Sequence, residues 1–289
     1  MTTAAAARAW LETDGVRLHV VDEGTGEPVV MLHGNPTSSH LWRNFVRPLV
    51  DAGYRAVAPD QLGFGRSDKP SDWRAYSYER HVRHFGAIMD ELGLDEVTLV
   101  LHDWGGPIGL AWAVEHPERV GRLVILNTVG WPPPSGRKPG LGYRILAAPL
   151  LGDVLVRGAH AVVRYALLRR LVSRPIPAAD RAGYLKAQPS WGERAGILAA
   201  IRHSAEVVGG GPTRDRLEQV GAKLDVLSGK PTLIVWGMRD PILKPTLLRR
   251  WRERFPAAEV HELDEASHFL QEDAHERIVP LLLDFLGRT

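Results

Sequence analysis

The sequence predicts an α/β protein built on a mostly parallel sheet, and three observations carry that reading. Between residues 16 and 128, short β-branched runs alternate with longer segments whose apolar residues recur every three or four positions, the pattern of βαβ units. From 131 to 229 strand-like alternation disappears and helical stretches take over, after which both patterns return. A chain of 289 residues that is 44% hydrophobic also has apolar side chains enough for one large or two small domains.

Taken in order, strands are expected at residues 16–21, 28–32, 56–59, 97–102 and 123–126, with crossover helices at 41–50, 82–92 and 107–114. The first two strands are too close for a crossover, so Asp22-Glu23-Gly24-Thr25-Gly26 reads as the turn of an antiparallel hairpin. Trp131-Pro132-Pro133-Pro134 then breaks regular structure. Helices are expected at 146–155, 162–172, 178–186 and 197–207, the last ended by Gly209-Gly210-Gly211-Pro212. Strands at 231–236 and 259–263 and an amphipathic helix over 273–286 close the chain.

Charge and composition narrow the function. With 36 basic against 34 acidic residues the net charge is +2, too weak a field to suggest nucleic acid as a partner. The absence of Cys excludes a disulfide scaffold and thiolate-ligated metal. Residues 1–10 carry neither a basic leader nor an apolar signal segment, and no run approaches the ~18 apolar residues of a membrane span, so a cytoplasmic protein with no membrane association is expected. Residues 131–229 hold 15 basic and 7 acidic side chains, the remainder 21 and 27. Because the arginines are dispersed, the basic segment reads as a solvated helical face rather than an anion-binding surface.

The chemistry concentrates at Leu101-His102-Asp103-Trp104-Gly105-Gly106, a strand that runs into a glycine-flanked turn and a helix. This is the setting of a nucleophile elbow, with Asp103 where a serine often stands and Leu101 where the first glycine would be. A carboxylate is already ionised near neutral pH and can displace a leaving group from saturated carbon without a base. The resulting alkyl ester can be hydrolysed at the aspartyl carbonyl, a step that needs a general base. His268, after the last strand, and Asp240, after Val235-Trp236-Gly237-Met238-Arg239, complete the order nucleophile, acid, histidine that hydrolases built on such an elbow use. Asp240 would orient the imidazole and His268 would deprotonate water. Asn35, in His33-Gly34-Asn35-Pro36, and Trp104 offer two neutral N–H donors suited to a departing halide, and their backbone N–H groups would serve as the oxyanion donors. No metal or organic cofactor is called for; a halogenated hydrocarbon, a halide ion and water are the expected partners.

At these residues the chain resembles the haloalkane dehalogenases of the α/β-hydrolase superfamily. The likeness also takes in Ala58-Pro59-Asp60, Gly63-Phe64-Gly65-Arg66-Ser67-Asp68-Lys69-Pro70 and His268-Phe269-Leu270-Gln271-Glu272-Asp273. Asn127 stands where one branch of that family has its acidic residue and Asp240 where the others do, which with the Asn35 and Trp104 pair is most similar to the third subfamily. The resemblance implies an α/β-hydrolase core over residues 1–130 and 230–289 with a helical cap over 131–229. It also implies that the cap shapes the pocket, where Phe64, Trp131 and Leu243 are expected as wall residues.

Other readings remain. An epoxide hydrolase uses the same three catalytic residue types with cap tyrosines as acids, for which Tyr143, Tyr165 and Tyr184 are available. A fluoroacetate dehalogenase would place Arg beside its nucleophile, and an esterase would need Ser at the elbow. A binding protein that has kept the fold without catalysis would have no use for an intact nucleophile, acid and base.

Overall fold

A computed structural model describes residues 9–289; the first eight, which belong to the segment read above as lacking a leader, lie outside the described residues. Eight strands form one sheet: β1 (Trp10–Thr13), β2 (Val16–Glu23), β3 (Pro28–Leu32), β4 (Arg55–Pro59), β5 (Val97–Asp103), β6 (Val120–Thr128), β7 (Thr232–Gly237) and β8 (Glu259–Leu263). Their order is β1-β2-β4-β3-β5-β6-β7-β8, parallel from β4 onward and antiparallel at the β1 and β2 edge. The α/β-hydrolase fold expected from the sequence is therefore present.

The central strands read as near-continuous apolar runs because helices cover both faces. In β5, Val97, Leu99 and Leu101 enter one buried cluster while Val100 enters the other. Helices α1 (Arg43–Asp51) and α9 (Leu270–Arg288) pack on one side, and α2 (Tyr78–Glu91) and α3 (Gly105–Ala113) on the other. Ser77 caps α2 by accepting from the Arg80 N–H, which explains where that helix begins.

The expected hairpin at residues 16–32 is overturned. β2 and β3 are not a hairpin, because β4 lies between them and pairs with both. Gly24 and Gly26 instead press against the backbone of Gly53 and Tyr54, where a Cβ would collide, and this contact admits β4 into the gap. The true hairpin joins β1 to β2 through Asp14 and Gly15, both at positive φ.

Between β6 and β7 the chain carries α4 (Leu141–Ala147), α5 (Ala178–Lys186), α6 (Ala195–Gly209) and α7 (Pro212–Lys223), with π-helical turns at Asp153–Gly158 and Val162–Arg170. The helix expected at 146–155 is thus displaced, and the glycine run at 209–211 separates two helices rather than ending the helical region. Helix α8 (Pro245–Arg254), with its N-terminal proline, follows β7. No helix among the described residues is long and apolar enough to cross a membrane.

Candidate active site

Every predicted catalytic side chain leaves the C-terminal end of a strand, the edge where parallel sheets gather their ligands. β5 ends on Asp103, which has φ +45°, a left-handed conformation costly for a residue with a Cβ. The turn survives because its neighbours are glycines. A Cβ on Gly34 would strike the Asp103 side chain, one on Gly105 the Leu32 carbonyl, and one on Gly106 the Thr128 side chain. Leu101 is accommodated because Gly109 of α3 makes room for its side chain. Thr128 Oγ1 donates to the Asp103 carbonyl at 2.6 Å and fastens the elbow to β6.

The Asp103 carboxylate is held unevenly. Its Oδ2 accepts the Asn35 backbone N–H at 2.8 Å, and the Trp104 backbone N–H also donates to the carboxylate. Its Oδ1 faces His268 Nε2 at 3.6 Å, beyond direct hydrogen bonding. Burial pushes the Asp103 pKa above the usual carboxylate range, opposed by His268 and the two backbone donors.

Asp240 is the better-satisfied acid. Its Oδ1 accepts from the Ile242 and Leu243 N–H groups at 2.7 and 2.9 Å, and its Oδ2 meets Asn127 Nδ2 at 2.8 Å and His268 Nδ1 at 2.7 Å. Burial would raise its pKa, yet the His268 charge and these donors carry it below the ordinary value. For His268 burial opposes the charged form, but Asp240 and Asp103 prevail and the imidazole pKa is raised.

Two supporting residues escaped the sequence reading of roles. Asn127, buried at the end of β6 with φ +32°, donates to Asp240 and to the Gly237 carbonyl, and its Oδ1 accepts the Gly237 N–H at 2.7 Å. His102 Nε2 lies 2.8 Å from the His268 carbonyl, fixing the loop that carries His268; burial pushes the His102 pKa down to about 3, so the ring is neutral. Position beside Asp103 was the available clue for His102, and position at a strand end for Asn127.

Of the side-chain donors expected for a halide, the Trp104 indole already has a partner within the protein, and both it and Asn35 border one small void. Trp104 Nε1 donates to Ser204 Oγ of α6 at 3.1 Å, and Ser204 in turn donates to the Ala200 carbonyl at 2.8 Å. Asn35 is absent from the lining of the main cavity, facing instead a void of about 20 Å3 shared with Trp104, Gln61 and Phe64. Phe64 therefore walls this void, whereas Trp131 and Leu243 line the main cavity of about 650 Å3 together with Asp103, Trp104 and Ser204. A partner one hundred residues away, supplied by the helical insert, is what engages the indole.

Of the three tyrosines, Tyr143 lines the main cavity, Tyr165 is exposed, and Tyr184 is buried against Glu272. Burial first, then the charges of Asp103 and Asp240, push the Tyr143 pKa up and keep it a neutral donor.

The chain matches the family described as alpha/beta hydrolase fold over residues 27–148 and 167–275. It is similar to the haloalkane dehalogenase 2 of Mycobacterium tuberculosis, 38% identical over 290 residues with 96% of this chain and 94% of the relative covered. It is also similar to a cis-3-alkyl-4-alkyloxetan-2-one decarboxylase of Shewanella oneidensis, 36% identical over 284 residues with 98% and 89% covered. Among solved structures, the haloalkane dehalogenase DatA from Agrobacterium tumefaciens superposes with a TM-score of 0.87 at 31% identity, covering 98% of this chain and 96% of that one.

Proposed function

Since the chain belongs to the α/β-hydrolase fold family and is a haloalkane dehalogenase-like hydrolase, we propose that it cleaves carbon–halogen bonds through an alkyl ester on Asp103. The observation that carries the reading is the uneven hold on that carboxylate: Oδ2 accepts the Asn35 backbone N–H while Oδ1 is turned toward His268. Oδ1 is the attacking atom. It displaces halide from saturated carbon, and the halide leaves toward Trp104 and Asn35. Trp104 must exchange its bond to Ser204 for one to the anion, and the void beside Asn35 is of a size that takes one water-sized particle, roughly 10–15 Å3 at minimum.

In the second step His268 takes a proton from water, which attacks the ester carbonyl. The negative charge developing on Oδ2 is received by the Asn35 backbone N–H already in place there, with the Trp104 backbone N–H, a donor to the same carboxylate, as the second oxyanion donor. Collapse frees the alcohol, restores the carboxylate and releases the proton. Alkylation also prepares the base: once Asp103 is an ester, one of the two charges holding the imidazole pKa up is gone, and Asp240 alone keeps the ring oriented. The insert over residues 131–229 acts as the cap, contributing Tyr143, Ser204 and Val207 to the pocket wall.

A second reading is favoured by Tyr143, a neutral donor lining the same cavity as Asp103, whose neighbouring indole N–H is already engaged. That combination suits an oxygen leaving group that stays attached, as in a strained ring. Like the Shewanella relative, the chain would then convert a cis-3,4-dialkyloxetan-2-one to an alkene and carbon dioxide, with no water consumed. An epoxide hydrolase fits less well, because its two cap acids would have to come from tyrosines of which Tyr143 alone lines the cavity.

The test is product analysis with 1-bromohexane, 1,2-epoxyhexane and a cis-3,4-dialkyloxetan-2-one. Bromide release with hexan-1-ol supports the first reading. Alkene and carbon dioxide without bromide would replace it with the second, and diol alone with the third.

A further inference from the structure

Four cations border the main cavity: Arg137 and Lys138 from the loop before α4, and Lys244 and Arg250 from the start and body of α8. All four are exposed, whereas Trp131 and Leu217 are buried and the Asp103 side chain is only 17% exposed. The cations therefore ring the open end, and the carboxylate lies inward. Asp103 is the one acid among the described lining residues.

Several arginines elsewhere in the molecule are paired with acids. Arg43 pairs with Glu272 and Asp180, Arg55 with Asp22, Arg119 with Asp90 and Asp95, and Arg202 with Asp153. Arg250 is engaged by the Pro132 carbonyl at 3.3 Å and by the Trp131 ring at 4.5 Å. The side chains of Arg137, Lys138 and Lys244 have no hydrogen-bonding or ionic partner among the described residues. The cavity lining also includes the apolar side chains of Val129, Val207, Leu217 and Leu247, with Tyr143, Ser204 and Thr246 as its uncharged polar members. At roughly 30 Å3 for each water-sized group, a cavity of about 650 Å3 accepts a chain of several carbon atoms with a head group.

We propose that the cavity binds an amphiphile end-on, its anionic oxygen head group, carboxylate or phosphate, held at the rim by Arg137, Lys138 and Lys244 and its alkyl chain running inward to Asp103. Electrostatics fixes the direction. The rim concentrates anions at the opening, whereas a head group pushed inward would meet the Asp103 carboxylate in a partly dehydrated site. For Arg137 and Lys138 this replaces the reading of the basic insert as a merely solvated face. Only the fate of the inner end rests on the proposed nucleophile; recognition of the head group does not.

Calorimetric binding of octanoate, octyl phosphate and octan-1-ol tests the proposal without any turnover. At about 0.02 M salt one of the two anions should bind about tenfold more tightly than the alcohol, and the advantage should shrink at about 0.5 M. It should disappear in Arg137→Gln/Lys138→Gln/Lys244→Gln and persist in Arg169→Gln, an exposed cation away from the cavity. The tighter of the two anions names the head group. Equal affinity for anions and alcohol, or an advantage that survives in the triple variant, overturns the proposal. Bromide release from 1-bromooctane separates this outcome from that of the reaction: release without preference for the anions sinks this inference alone, and preference without release sinks the dehalogenase reading alone.

Discussion

The ends of β5 and β7 each present an aspartate to the same imidazole, and the two are built in opposite ways. Asp240 has every lone-pair direction answered by Asn127, His268 and two backbone N–H groups, and its pKa is lowered. Asp103 is held through Oδ2, leaves Oδ1 toward His268 beyond hydrogen-bond distance, sits on strained backbone, and has its pKa raised by burial. In the proposed reaction one residue type is a fixture in one place and a reagent in the other. The difference comes from hydrogen-bond saturation and desolvation.

The largest test of that contrast removes the reagent. Asp103→Ala should abolish bromide release, by more than about 10^4-fold, while His268→Ala should stop the reaction half-way and leave an alkyl adduct on Asp103 visible by intact-protein mass spectrometry. Turnover of His268→Ala at an undiminished rate would remove the base from its role. Asp240→Asn keeps the shape and loses the charge, so kcat should fall by up to about 10^4-fold, by analogy with the loss of the orienting acid in other triads.

Asn127→Ala probes why the fixture stays fixed. It strips one donor from Asp240 and leaves the buried Gly237 N–H unanswered, which should lower stability by about 1–3 kcal/mol in chemical denaturation. The charge coupling between the two ends is read by titrating His268 with NMR. Because the Asp103 carboxylate raises that pKa, Asp103→Asn should move the titration to lower pH, with Asp240 still keeping the imidazole oriented. In the wild type, ester hydrolysis should accelerate as pH rises through the His268 pKa, since the base is the deprotonated ring. The smallest effect is expected from Ser204→Ala, which frees the Trp104 N–H and should tighten bromide binding several-fold in fluorescence quenching.

Much of this architecture could be read from the chain because it is local. The strands at 28–32 and 232–236 are continuous apolar or β-branched runs, and the elbow is a contiguous strand, turn and helix. Where pairing is non-local, pattern fails. β1 is four residues with a polar face, too short to register, and the insertion of β4 between β2 and β3 depends on glycine contacts thirty residues apart in sequence. Helix α8 hid behind its arginines, whose long stems pack although their heads are charged, while Leu248 and Trp251 are the residues it buries. In the site, residue types at strand ends pointed to Asp103, Asp240 and His268. They could not disclose that Ser204 engages Trp104, that Asn127 braces Asp240, or that Phe64 and Asn35 share a separate void. Each of those depends on an atom brought in by a distant element.

The glycine packing around Asp103 has a practical corollary for protein engineering. Gly34, Gly105, Gly106 and Gly109 have no space for even a methyl group, so mutant libraries that randomise the floor of the site would return mostly misfolded clones. Diversity introduced at Pro139, Tyr143, Val208 and Thr246, which border the cavity from the loop before α4, from α4, from α6 and from α8, leaves that floor untouched. A screen for altered substrate range gains most there, with the reacting centre inherited unchanged.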